Sequence, residues 1–228
     1  MYRYELHAHT AECDKVASSG GAELVRAYAE RGYHGMVITD HYFSGFFDWF
    51  REEVDGKTHR EILTRWLKGY YAARNEGEKL GFTVLPGAEL RIDGTPNDYL
   101  LYGLEEEDFY RLPLLNRCGS LNEALDRLPS YVLAVQAHPF RNGMTVGDPS
   151  RLFGIEVYNG GTEDFRNAMA LTFAAHYGKA ATSGTDTHGT WSVGKGGILT
   201  ESPIRTVADL RRVLTEGDYR LILPEESL

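Results

Sequence analysis

Six short apolar runs in this 228-residue chain are each followed by histidine, carboxylate or carboxamide side chains, and that pattern narrows the folds open to it. His7 and His9 follow Tyr4-Glu-Leu, and Asp40 and His41 follow Gly35-Met-Val-Ile. Glu89 follows Phe82-Thr-Val-Leu, and His138 follows Val132-Leu-Ala-Val. Asn159 follows Gly154-Ile-Glu-Val-Tyr, and Asp186 and His188 follow residues 180–185. Apolar runs of this length read as buried strands. Helix-like segments separate them. Residues 22–31 place Leu24, Val25, Tyr28 and Ala29 at helical spacing and stop at Gly32. Thr58 and Glu61 make a capping box that opens a longer helix, closed by Gly81. Ser120 and Glu123 open another, and residues 162–177 and 207–214 are helical.

With Tyr99-Leu-Leu-Tyr102 as a further strand, seven strands alternate with helices, and residues 219–223 add a last short one. This is an α/β pattern with parallel strands. An open doubly wound sheet and a closed barrel fit it equally, and the polar residues decide between them. At the strand ends of an open sheet they would spread along a line too wide for one site. In a barrel they converge on one mouth, where barrel enzymes keep their chemistry. No repeat, low-complexity tract or linker interrupts the chain, so residues 1–228 read as one domain.

The formal net charge is −9, from 24 Lys and Arg against 33 Asp and Glu. That balance opposes binding to long nucleic acid or an anionic membrane, so a cationic field would have to be local, as bound divalent metals would supply it. No apolar run approaches the roughly 20 residues that span a bilayer. Residues 1–5 lead directly into a strand, which leaves no room for a signal peptide. Cys13 and Cys118 do not make a disulfide framework. The expected compartment is the reducing cytoplasm. Nothing in the residues sets an oligomeric state.

Imidazole with carboxylate suits Zn²⁺, Mn²⁺ or Fe²⁺. His7 and His9, at i and i+2 of a strand, point to one side, and Asp186 and His188 repeat the spacing. Each pair alone also reads as ordinary polar surface, and His41 and His138 alone as polar strand caps. Glu89 weighs more, because a carboxylate ending an apolar strand is costly to bury without a compensating charge. Asp40 suits a partner that orients a neighbouring imidazole. His34, His59 and His176 read as surface or packing residues.

Taken in order, His7-x-His9, Thr39-Asp40-His41, Glu89, His138-Pro139 and Asp186-x-His188 resemble the PHP (polymerase and histidinol phosphatase) family over residues 5–190. The resemblance implies a distorted (β/α)7 TIM-like barrel of the PHP type, two or three divalent ions and hydrolysis of phosphate esters. It implies one metal on His7, His9, Glu89 and Asp186, and a second on Glu89 and His138. A third would lie on His41 and His188, with Asp14 as a further ligand and Glu12 and Cys13 as competitors. After the sixth strand, Asn159 is the expected ligand of the second metal, with Glu156 as runner-up; some family members carry His or Cys there.

The expected chemistry is attack on a small phosphomonoester by a metal-activated hydroxide, with Asp186 and His188 at the reacting centre. Arg141 would pair with phosphate oxygens, and Lys195 is a weaker choice. The aromatic stretch 42–50 reads either as a lid over the mouth or as packing against a helix or another subunit. A phosphodiesterase or exonuclease on short nucleotides, another ester or lactone hydrolase, and a non-catalytic metal-binding interaction module are the competing functions.

Overall fold

The computed structural model describes residues 1–224. The first five strands are β1 (Tyr2–Glu5), β2 (Gly35–Ile38), β3 (His41–Tyr42), β4 (Thr83–Pro86) and β5 (Ala88–Arg91). They are followed by β6 (Asp98–Tyr102), β7 (Leu133–Gln136), β8 (Gly154–Asn159), β9 (Ala180–Gly184), β10 (Gly197–Thr200) and β11 (Arg220–Ile222). They pair as two sheets, β11-β10-β1-β2-β4 and β3-β5-β6-β7-β8-β9. The sheets are halves of one curved wall. The chain runs from β2 into β3 and from β4 into β5. Backbone bonds from Gly87 N to Ile38 O (2.9 Å) and from Glu89 N to Asp40 O (3.1 Å) carry the pairing across the bend. On the far side an isolated parallel bridge, Ala8 to Thr187, joins the extension of β1 to that of β9. The wall therefore returns to its first strand through a bridge rather than a full ladder, which distorts the expected barrel.

Two features differ from the sequence reading. β6 runs antiparallel to both β5 and β7. The connection over residues 92–97 is too short for a parallel crossover, which needs a dozen residues or more. Gly94, at φ 81, makes the tight return. β10 is absent from the sequence expectation; it pairs antiparallel with β1 and carries β11 on its other edge.

The helices form where the caps place them. Thr58 and Glu61 exchange the expected capping-box bonds, Ser120 caps Leu121–Arg127, and Thr206 caps Val207–Glu216. The long helix expected after Thr58 is two, His59–Trp66 and Lys68–Leu80, separated by Leu67. The barrel interior holds Leu6, Val37, Leu85, Leu100, Tyr102 and Val135, and Leu210, Val213 and Leu214 pack against them. Arg211 Nη1 donates to Gly103 O (3.0 Å), at the end of β6 away from Asp98, so this last helix closes the barrel's base. Outside the wall, Leu24, Val25 and Tyr28 pack with Trp66, Tyr70 and Ala73. Among the described residues no helix is long and apolar enough to cross a membrane.

The start of Lys68–Leu80 presses directly on the site. A Cβ on Gly69 would overlap Thr10 Oγ1 and lie 2.8 Å from Asp40 Oδ2. Gly69→Ala is expected to lose about 1–3 kcal/mol of stability, the usual cost of overpacking, read as a lowered midpoint in urea. An unchanged midpoint would mean that this contact is slack.

Candidate metal centre

Glu89 is the centre of the cluster. It lies in β5, buried to 1% exposure. Its Oε1 lies 3.2 Å from His7 Nε2 and 2.9 Å from His138 Nε2. Its Oε2 lies 3.4 Å from His9 Nε2 and 3.0 Å from His41 Nε2. Asp186 Oδ1 lies 3.2 Å from His9 Nε2 and 3.5 Å from His7 Nε2. His188 and His41 both face Asp14 Oδ2, at 3.6 Å and 2.5 Å. The ligand atoms within each of four groups lie within 4.8 Å of one another: His7, His9 and Glu89; His7, His138 and Asp186; Glu89, Asp98 and His138; His9, Asp14, His41 and His188.

Local structure puts them there. His7 and His9 alternate with Ala8, whose N donates to Thr39 Oγ1 (3.0 Å), so both rings face inward. His138, at φ 28, and Asp186, at φ 55, are the only non-glycine residues with positive φ among the described ones. Backbone held in a sparsely populated region clusters at functional sites, and both residues are among the expected ligands. Glu156 secures this geometry. Its Oε1 faces His7 Nδ1 at 2.8 Å, and its Oε2 accepts from His138 N (3.0 Å) and Asn159 Nδ2 (2.9 Å). Glu5, also buried, accepts from the backbone of Leu6, His7 and Thr185 and from Tyr28. Burial pushes its carboxyl up to about 7, and the bonds from Thr185 work against the rise.

Burial works against every charge in the cluster, and the neighbours decide the outcome. Glu156, Asp186 and Glu89 overcome burial and raise the His7 imidazole well above its ordinary value. Glu89 and Asp14 raise His41 to about 10. Burial and His41 together push His9 down to about 3. Against their own burial, Glu89 and Asp186 are held well below the usual carboxylate range, chiefly by His7.

Donor chemistry and unpartnered ring nitrogens fit a metal. His7 Nε2, both His9 nitrogens and His138 Nδ1 are buried without a hydrogen-bond partner, although two of them lie beside carboxylates. Buried polar groups normally find partners. Imidazoles and carboxylates aimed at shared points, rather than aligned with each other, suit divalent cations.

The expected residues divide as follows. His7, His9, Asp14, His41, Glu89, His138, Asp186 and His188 come together. Of the three acids and thiols after His9, Glu12 instead accepts from Gly21 N (3.0 Å) at a helix start, and Cys13 turns to Trp66 O. Asn159 lines the wall, but its Oδ1 accepts from Arg141 Nη2 (2.7 Å), Gly161 N (2.9 Å) and Thr162 Oγ1 (3.2 Å). The carboxylate that faces Glu89 and His138 is Asp98, which the sequence reading missed. Arg141 Nη2 also binds Asp186 Oδ2 (2.5 Å), and Nε binds Thr162 Oγ1 (3.1 Å). Lys195 Nζ reaches only Gly160 O (3.3 Å) and is exposed. Asp40 takes Thr10 N (2.6 Å) and Thr10 Oγ1 (2.8 Å) rather than an imidazole. In the aromatic stretch Phe46 is fully buried, while Phe43 stands 5.5 Å from the His41 ring.

A family model described as PHP-associated (PHP_C) matches residues 165–219. No curated protein matches the sequence. Among solved structures, the chain is similar to a two-domain protein from Bacteroides vulgatus that contains a predicted PHP-like metal-dependent phosphoesterase. The TM-score is 0.67 at 14% identity, over 97% of this chain and 64% of that one. The chain thus spans less than two thirds of that protein. A protein from Bifidobacterium adolescentis assigned as a metal-dependent phosphoesterase aligns at TM-score 0.55 and 16% identity, over 93% of this chain and 95% of that one. A lesion-specific endonuclease from Pyrococcus furiosus aligns at TM-score 0.62 and 13% identity, over 96% of this chain and 57% of that one. The chain has the PHP-domain fold.

On this PHP scaffold, the raised His7 and His41 values mean that the metal-free rings hold protons at neutral pH, which a cation must displace. Affinity for Mn²⁺ or Zn²⁺ is expected to rise between about pH 6 and pH 8, with protons released on binding, read by calorimetry in buffers of different ionisation enthalpy. A pH-independent affinity would contradict protonated rings at His7 and His41. Glu156→Gln keeps the shape but leaves an amide donor facing His138 N or His7 Nδ1. It should weaken metal binding about 10- to 100-fold, and an unaltered titration would remove Glu156 from the centre.

Proposed function

We propose that the chain is a metal-dependent phosphoric ester hydrolase of the PHP family whose substrate is a small phosphomonoester. The observation that supports this most is the convergence of imidazoles and carboxylates from distant strands on buried Glu89, with buried ring nitrogens left without a hydrogen-bond partner. Two or three ions, Zn²⁺, Mn²⁺ or Fe²⁺, would be held by three sets of side chains. These are His7, His9, Glu89 and Asp186; Glu89, Asp98 and His138; and Asp14, His41 and His188. Bound there, they supply a nucleophilic water and neutralise phosphoryl charge.

The remaining work falls to the protein's own side chains. Glu156 fixes the His7 ring through Nδ1 (2.8 Å). Asn159 holds Arg141 rather than a cation. Arg141, secured through Nε and Nη2, would keep Nη1 for a phosphoryl oxygen. Phe43, with Trp49 against it at 5.3 Å, forms an apolar edge beside His41 that excludes water. His41 and His188, at 16% and 24% side-chain exposure, mark the side open to substrate. Two buried unpaired thiols, Cys13 and Cys118, support a reducing cytoplasm, and we take residues 1–228 as one domain.

Similarity to the lesion-specific endonuclease favours a second reading, a phosphodiesterase. The net charge of −9 favours short nucleotides over long nucleic acid as its substrate. The deciding experiment measures metal content in the purified protein and turnover of monoesters, diesters and lactones with and without chelator. His9→Ala should lower chelator-sensitive kcat/KM at least about a hundredfold. Full activity in that variant would contradict the assignment of His9. Diester turnover without monoester turnover would establish the second reading, and bound metal with no turnover a binding module.

A further inference from the structure

Arg91 separates one of the three ligand sets from the others. It donates from Nε to Asp98 Oδ1 (2.6 Å) and from Nη2 to Asp98 Oδ2 (2.6 Å), so both oxygens of this carboxylate are engaged. Sheet register enforces the pairing, because Arg91 in β5 stands opposite Asp98 in β6. Asp98 is buried, and the guanidinium is backed by the Phe43 ring 5.5 Å away. The arginine at Asp186 behaves differently. Arg141 uses a single nitrogen there and contacts only Oδ2, so Oδ1 faces His9 at 3.2 Å and His7 at 3.5 Å. Asp14 faces only imidazoles through Oδ2, and its Oδ1 accepts from Val16 N (2.8 Å).

A cation entering between Glu89, Asp98 and His138 therefore meets a carboxylate whose charge is already matched. The matching group is planar, two-pronged and permanently protonated, so it cannot yield by losing a proton as an imidazole does. The cation must also lie beside that fixed positive charge. We propose that Arg91 makes the Glu89–Asp98–His138 set the weak cation site, so that the centre fills in two affinity classes, with this set last. The proposal rests on the reading of the cluster as a metal centre. The opposite role is equally definite: an outer partner that merely orients a ligand strengthens binding, and its loss weakens affinity about 10- to 100-fold.

The two roles predict opposite signs for the same substitution. Chelator-stripped full-length protein is titrated with Mn²⁺ by calorimetry at about pH 8, where exposed carboxylates are ionised, and retained Mn²⁺ is counted after desalting. The wild type should show tight and weak classes. Arg91→Met should tighten the weak class by about tenfold or more, the reverse of the loss expected for an orienting partner, and leave the tight class unchanged. Arg91→Lys, whose ammonium is a single point of charge, should fall between and carries the test if the methionine variant does not fold by circular dichroism. A single class in the wild type, or a weak class that either variant leaves unchanged or weakens, overturns the proposal alone. No Mn²⁺ binding by the wild type overturns the metal-centre reading, and the proposal with it.

Discussion

A single buried carboxylate organises this protein. Glu89 has four imidazoles within 3.4 Å of its two oxygens, and they arrive from β3 and from the segments just past β1 and β7. A lone carboxylate at that depth would cost several kcal/mol in desolvation. The cost is met only by positive charge held at the same point, whether on imidazolium or on a cation. The bend between β4 and β5 is what delivers Glu89 there. The strand turns inward at Pro86-Gly87 while its pairing with the neighbouring strand continues through Gly87 N and Glu89 N.

Around this point the protein spends local stability on order. His138 and Asp186 adopt left-handed backbone that costs of order 1–3 kcal/mol each for ordinary residues. Buried carboxylates offset it by tying strands together. Glu156 links His7, just past β1, to His138, just past β7, and Glu5 of β1 accepts from Thr185, just past β9. Close approach is needed as well. A Cβ on Gly184 would meet the His7 side chain and lie 2.8 Å from Glu156 Oε1, so glycine is what lets β9 pass behind this pair.

The legible part of the site was the part that chemistry writes into residue types. Histidines and acids at the ends of apolar runs point to a barrel with polar groups at one mouth, and seven of the side chains that converge there stand out in the sequence, with Asp14 one of three choices. Asp98 and Arg91 were hidden by chain direction. In an all-parallel barrel a residue at the start of a strand lies at the base, far from the mouth. The short return around Gly94 reverses β6 and brings Asp98 to the mouth opposite Arg91. Spacing alone leaves Glu12, Cys13 and Asp14 open; the choice is made by a helix start that uses Glu12 and by Trp66 O facing Cys13. Glu156 stands within an apolar strand and reads from sequence as a possible ligand. Its actual work, holding His7 by the ring's other nitrogen, depends on a contact between residues 149 positions apart.

On the proposed reading, the charge of the cluster decides how an acidic protein could receive an anionic substrate. Asp14, Glu89, Asp98, Glu156 and Asp186 lie within one cluster, against two guanidinium groups, Arg91 and Arg141. Both arginines bind carboxylates at its edge, so the middle stays negative unless the imidazoles are protonated or cations are present. The net charge of −9 adds to that field rather than opposing it. On the proposed reading, bound divalent ions would be the largest local charges in the site and would make it attractive to a phosphate. On that reading electrostatics would order the two events, with cations entering before an anionic substrate and reversing the field at the mouth.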